Sequence, residues 1–173
     1  MNKLFVVYIG GSHEKSFIEL HDMRFVVGGK IEDTYDDLRA SWWGKPESLH
    51  LDCWGSLENA DGYNIFLKKD PSQDTENNLY FVNLGGYDSN EFTELHKNVF
   101  VVAPNEVEAK KKAVAQVAHW ESPHRDYLYE VENILDINRI VSEKHLHVHL
   151  EPTKNPAPFR FTSQYVPIGT TAR

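Results

Sequence analysis

The chain has 173 residues, 40% hydrophobic and 25% charged, which is the composition of a globular protein with room for one medium domain or two small ones. Its formal net charge is −8, from 26 acidic and 18 basic residues, and that balance excludes the basic footprint of a nucleic-acid binder. The single cysteine, Cys53, excludes an internal disulfide and suits a reducing compartment.

Alternating apolar and β-branched residues predict strands over Lys3–Ile9 and Met23–Val27. Ile31, Tyr35, Leu38 and Trp42 then recur at helical spacing on one face, and Gly44 and Pro46 stop that helix. Strands follow over Leu49–Ser56 and Tyr63–Lys68, then a polar stretch at 70–78 reads as a surface linker. The order begins again with strands over Leu79–Leu84 and Val99–Ala103. Asn105 is placed to cap a second helix, with Glu108 at the capping-box spacing and Val107, Val114, Val117 and Trp120 as its buried stripe. Lys110, Lys111 and Lys112 form its wet face. Strands over Tyr127–Ile134 and Lys144–Glu151 close the second set. Residues 152–173 read as an extended tail, because Pro152, Pro156 and Pro158 preclude a helix. Phe159, Phe161 and Tyr165 make that tail an edge strand or an arm on a partner subunit, with docking on the chain's own core favoured.

The two sets are alike in residues as well as in order. A shift of 75 positions lays Leu4, Val7, Gly10 and Gly11 on Leu79, Val82, Gly85 and Gly86 without a gap. It also lays Phe17 on Phe92, Glu19-Leu20-His21 on Glu94-Leu95-His96, and Phe25-Val26-Val27 on Phe100-Val101-Val102. With a slip of one residue, "ESLHLD" at 47–52 meets "ESPHRD" at 121–126. The expected fold is therefore α+β, an internal duplication of a β-β-α-β-β unit with mainly antiparallel sheets and one helix per repeat packed on a sheet face. The repeats span 1–69 and 79–151, and together they form one compact pseudo-symmetric domain.

The run of an apolar strand ending in Gly-Gly, then "ELHDMRFVVG", "IEDTYDDLRASWWG", "LHLDCW" and "DGYNIFL" resembles the bacterial family of domain of unknown function 1543. Its module occurs once or twice per chain, and both copies here would cover about residues 4–151. The second copy departs from the pattern, with "ESPHRDYLYEV" in place of "ESLHLDCWGSL". The resemblance implies no activity.

Three constellations carry candidate chemistry. Ser48, His50 and Asp52 alternate on one face of an extended segment, and Ser122, His124 and Asp126 repeat them. A carboxylate beside an imidazole orients it, so the pairs His50/Asp52 and His124/Asp126 are candidate catalytic groups. No nucleophile elbow accompanies them, and a polar strand face is favoured. His21 and His50 are candidates to converge at one end of a sheet, where Gly10 and Gly11 would let a ligand approach the backbone. Gly85, Gly86, His96 and His124 would form the twin site. His145, His147 and His149 share one face of a strand and are candidate metal ligands, although a solvated face is favoured.

There is no P-loop, dinucleotide fingerprint, HExxH or CxxC, so no cofactor is expected. The leading expectation is a non-enzymatic small-molecule or protein binding module, a candidate homo-oligomer with no nucleic-acid or membrane partner. A hydrolase or isomerase using a repeated His/Asp pair and a metal binder are the alternatives. The opening residues lack the apolar core and small-residue cleavage site of a secretion signal, and no apolar run approaches the ~20 residues of a membrane span, so a cytoplasmic location is expected.

Overall fold

A computed structural model describes residues 2–73, 76–116, 122–123 and 134–170. The elements in chain order are β1 (Lys3–Gly11), β2 (Leu20–Gly28), α1 (Tyr35–Ser41), β3 (His50–Ser56), β4 (Asn59–Ala60), β5 (Tyr63–Lys68) and β6 (Asn78–Tyr87). They continue with β7 (Leu95–Ala103), α2 (Glu106–Ala115), β8 (Ser122–Pro123), β9 (Ile134–Asp136), α3 (Ile137–Ser142), β10 (His147–Pro152) and β11 (Thr162–Pro167). The fold is α+β with antiparallel sheets and few helices. Packing divides the chain into two compact units, Met1–Asn59 with Ala157–Arg173, and Ala60–Pro156.

The first unit is built on a four-stranded sheet in the order β11-β3-β1-β2. Phe5, Val7 and Ile9 alternate along β1 and enter one core cluster with Val26, Leu49, Leu51 and Ile168. The helical face lands as its spacing predicts. Ile31 and Leu38 are buried in that cluster, and Tyr35 and Trp42 pack against it. The first turn, Ile31–Thr34, is a tighter 3-10 turn that leads into α1. Full burial of Leu38 contributes roughly 1.5–3 kcal/mol, enough to hold a seven-residue helix that would not persist alone.

The tail joins this unit as an added edge strand. β11 pairs with β3, and the Ile168 and Gly169 N–H groups both donate to the Leu49 carbonyl, at 3.0 and 2.8 Å. Gly55 makes the approach possible, because a Cβ there would stand 2.5 Å from the Arg160 carbonyl oxygen.

In the second unit β6 pairs with β7, β8 and β9. Asn105 caps α2 as expected, its side chain accepting from the Glu108 N–H at 3.0 Å. The buried stripe differs from the expectation. Ala109 and Ala113 are buried and Val114 packs against the cluster, while Val107 is exposed. Small side chains one turn apart let the helix lie close to the sheet, which a valine stripe would prevent. Val117 and Trp120, and most of the strand expected at Tyr127–Ile134, lie outside the described residues.

The last strands of the two sequence repeats pair with one another. β5 lies antiparallel to β10, with His147 opposite Lys68 and Glu151 opposite Asn64. Asp61 (φ 48°) and Gly62 (φ 82°) form the turn into β5, the left-handed pair that a two-residue hairpin demands. The helix α3, unforeseen in the sequence, is capped by Asp136, whose side chain accepts from the Asn138 N–H at 2.9 Å.

Candidate functional site

Three strands of the first unit bring the site together in one row. Gly10 of β1 lies opposite His21 of β2 on one side and His50 of β3 on the other. Cross-strand neighbours present their side chains on the same face, so the two imidazoles lean over the missing side chain of Gly10. A Cβ at Gly10 would stand 2.6 Å from His50 Nε2, 2.9 Å from Asp52 Oδ2 and 2.9 Å from His21 Cδ2.

Asp52 reaches this row through a β-bulge. The register of β1 on β3 shifts between Tyr8, opposite Cys53, and Ile9, opposite Leu51, leaving Asp52 as the extra residue. The β11 register shifts at the same level, and Tyr165 comes to lie with its ring 4.4 Å from that of His50. A bulge bends its strand and re-aims a side chain, which is its effect here.

Four side chains converge. His50 Nε2 stands 3.2 Å from Glu19 Oε1 and 3.5 Å from Asp52 Oδ1, and His21 Nε2 stands 3.3 Å from Asp52 Oδ2 and 3.6 Å from Glu19 Oε2. Exposure grades from the floor outward: the His50 side chain is 2% exposed, Asp52 27%, His21 32% and Glu19 49%. The ring of Tyr8 stacks on His21 at 5.1 Å and 5°. Burial pushes the Tyr8 phenol above its usual range, and the nearby Asp52, Cys53 and Asp22 push it further.

His50 is held by its other nitrogen. Nδ1 lies 2.8 Å from the Ser48 carbonyl, which can only accept, so Nδ1 carries the hydrogen and Nε2 faces the carboxylates. Neither carboxylate oxygen near Nε2 lies on the line an N–H would take. Among the described residues, His50 Nε2 and Asp52 Oδ2 are the buried side-chain polar atoms without a hydrogen-bond partner.

The candidates from the sequence sort as follows. Gly10, His21, His50 and Asp52 come together, joined by Glu19, which the sequence reading noted in the repeated "ELH" but did not count as a site residue. Ser48 does not complete a triad. Its hydroxyl accepts from the Ser12 N–H at 2.8 Å and donates to the Lys45 carbonyl at 2.7 Å, so it ties down a loop. Gly11 serves packing, since a Cβ there would meet Trp42 at 2.7 Å and the Ser48 hydroxyl at 2.9 Å. In the second unit Gly85 lies opposite His96, and His96 Nε2 is 3.7 Å from Glu94 Oε2. Gly86 lies opposite Pro123, while His124 and Asp126 lie outside the described residues.

The histidine row at 145–149 is not one strand face. His145 sits in a turn with φ 56°, ahead of β10, and only His147 and His149 lie on the strand. His149 Nε2 is 2.8 Å from the Asp70 carbonyl, where it donates. Among the described residues the group with ligand atoms close enough for one metal ion is Glu19, His21 and His50, all within 4.8 Å of one another.

Residues 16–67 match the family model described as Domain of Unknown Function (DUF1543), in one copy. The chain is also similar to a solved protein, Il1583 from Idiomarina loihiensis, at 32% identity and a TM-score of 0.72, over 97% of this chain and 98% of that one. A DUF1543 domain is thus shown over residues 16–67. No curated protein matches it, and nothing in these comparisons indicates an enzymatic activity. The DUF1543 match takes in Glu19, His21, His50 and Asp52, whereas Gly10 and Tyr165 fall outside it. No helix among the described residues is long and apolar enough to cross a membrane.

Proposed function

We propose that this DUF1543 chain is a non-enzymatic binding module whose ligand presents a positively charged group to Glu19, His21, His50 and Asp52. The observation that carries the reading is the pair of buried atoms without hydrogen bonds, His50 Nε2 and Asp52 Oδ2, which both border the space over Gly10. Leaving one such group unsatisfied costs about 1–3 kcal/mol, a cost that a binding partner at the site removes. Two carboxylates in one cluster select a cationic partner over an anionic one.

A second copy of the module over residues 79–151 belongs to the same proposal. The hairpin register repeats at the same shift of 75, with Lys3 opposite Gly28 and Asn78 opposite Ala103. A single cysteine and the acidic charge balance fit a cytoplasmic protein with no nucleic-acid partner.

The test is a thermal-shift panel of small amines and divalent metal ions on the full chain. At least one member raises the Tm, and Glu19→Gln, an exposed and nearly isosteric change, abolishes the rise. A panel in which no member shifts the Tm, or in which Glu19→Gln responds like the parent chain, refutes the reading.

A further inference from the structure

We infer that the cation is a divalent transition-metal ion of zinc type, held by His50 and His21 through Nε2 and by a carboxylate oxygen of Glu19, with the Asp52 carboxylate beside both imidazoles. The inference rests on the binding reading above and narrows it to one ligand class.

The spacing of the donor atoms is the first ground. Zinc sites have bonds of ~2.0–2.1 Å to nitrogen and oxygen, so neighbouring ligands of a tetrahedral ion stand ~3.3–3.4 Å apart. The four N···O separations here are 3.2, 3.3, 3.5 and 3.6 Å. Those of Glu19, 3.2 Å to His50 and 3.6 Å to His21, run from its two oxygens and bracket that spacing, and all four are long for charge-assisted hydrogen bonds, which close to ~2.7–2.9 Å.

The second ground is the tautomer of His50. A histidine that binds metal through one nitrogen characteristically donates the other N–H to a carbonyl or carboxylate, which fixes the ring. His50 does this through Nδ1 to the Ser48 carbonyl at 2.8 Å. Its Nε2 then turns an unshared pair toward oxygens that also carry unshared pairs. A proton on Nε2 would not relieve this, because neither oxygen is in line with it. An ion between the donors relieves it for all of them at once.

The donor set gives the third ground. Two imidazoles with carboxylates suit zinc and its transition-metal neighbours, whereas calcium and magnesium take oxygen-only shells. The floor is preorganised by burial of His50 and by the space over Gly10, and Tyr8 stacks on His21 to hold the second ring. Glu19 and His21 form the accessible rim through which an ion enters.

The experiment is equilibrium dialysis of the full chain against Zn²⁺, then against Mg²⁺ and Ca²⁺, with metal content read by elemental analysis. The variants are Glu19→Gln and His21→Ala, both at the exposed rim, because His50→Ala removes a buried side chain. Zn²⁺ binds with one ion more per chain in the parent than in the double variant, and each single variant weakens that site by at least ~100-fold, beyond the effect of losing an outer-shell partner. Mg²⁺ and Ca²⁺ do not compete. Equal zinc content in parent and double variant overturns the inference, and so does displacement by Mg²⁺. If zinc is not retained but an amine still raises the Tm in a Glu19-dependent way, the metal inference fails and the binding reading stands. If neither happens, both fail.

Discussion

Replacing Gly10 by alanine tests the packing on which the site depends. The new methyl group would lie 2.6 Å from His50 Nε2 and 2.9 Å from both Asp52 Oδ2 and His21 Cδ2, closer than carbon tolerates, so something must move. His50 has no way out, being 2% exposed and bonded to the Ser48 carbonyl, and the strain falls on Asp52, His21 or β1 itself. Overpacking of this kind costs ~1–3 kcal/mol, offset by the ~0.4–1 kcal/mol that alanine contributes by restricting the unfolded chain. The expected net loss is about 1–2 kcal/mol. Gly29→Ala is the matched control, because its Cβ would meet only the Asp33 carboxylate, at 3.2 Å, and its expected effect is neutral to stabilising. Urea unfolding followed by tryptophan fluorescence reads mainly the right unit, since three of the four tryptophans, Trp42, Trp43 and Trp54, belong to it. A Gly10→Ala chain as stable as Gly29→Ala would refute the description of side chains packed over Gly10.

Three further outcomes are expected. Asn105→Ala removes the cap of α2 and lowers stability by ~1 kcal/mol in chemical unfolding, while Asn105→Ser is close to neutral. Gly55→Ala drives a Cβ to 2.5 Å from the Arg160 carbonyl, so amide protons of β11 exchange faster with solvent while those of β6 and β7 are unchanged. In the metal-free chain the Tyr8 phenol ionises above pH 10, chiefly through burial and next through Asp52, so Asp52→Asn lowers that pKa without bringing it fully to the usual value. Because the folded value is raised, this group's contribution is complete below pH 10 and is lost as pH climbs through the folded pKa. Ring-carbon chemical shifts in an alkaline titration measure both.

Local signals in the sequence carried further than long-range ones. The span Tyr63–Lys68 was legible to the residue, because alternation and the Asp61-Gly62 turn bound it tightly. Its partner was not legible, since pairing with β10 joins segments from opposite ends of the second unit, and β-branched content specifies no partner. The helix α3 escaped because six residues give too short a run for a helical period to register. Of the site, Gly10, His21 and His50 were readable from the repeat, with the glycine read as room for a ligand, whereas it makes room for the two rings. Glu19 is kept with His21 in both repeats, and that retention was the signal for it. Asp52 was readable as the partner of His50, but the bulge that turns it into the row leaves no periodic trace, and neither does the docking of the tail that brings Tyr165.

The β11 strand has a consequence for biosynthesis. The unit encoded first borrows an edge strand from residues translated after the other unit, whereas the unit in between is continuous in the chain. During N-to-C synthesis the later-encoded unit can finish folding while the earlier one still lacks the strand that borders His50, so the ring of Tyr165 reaches that histidine only after the intervening unit has been made.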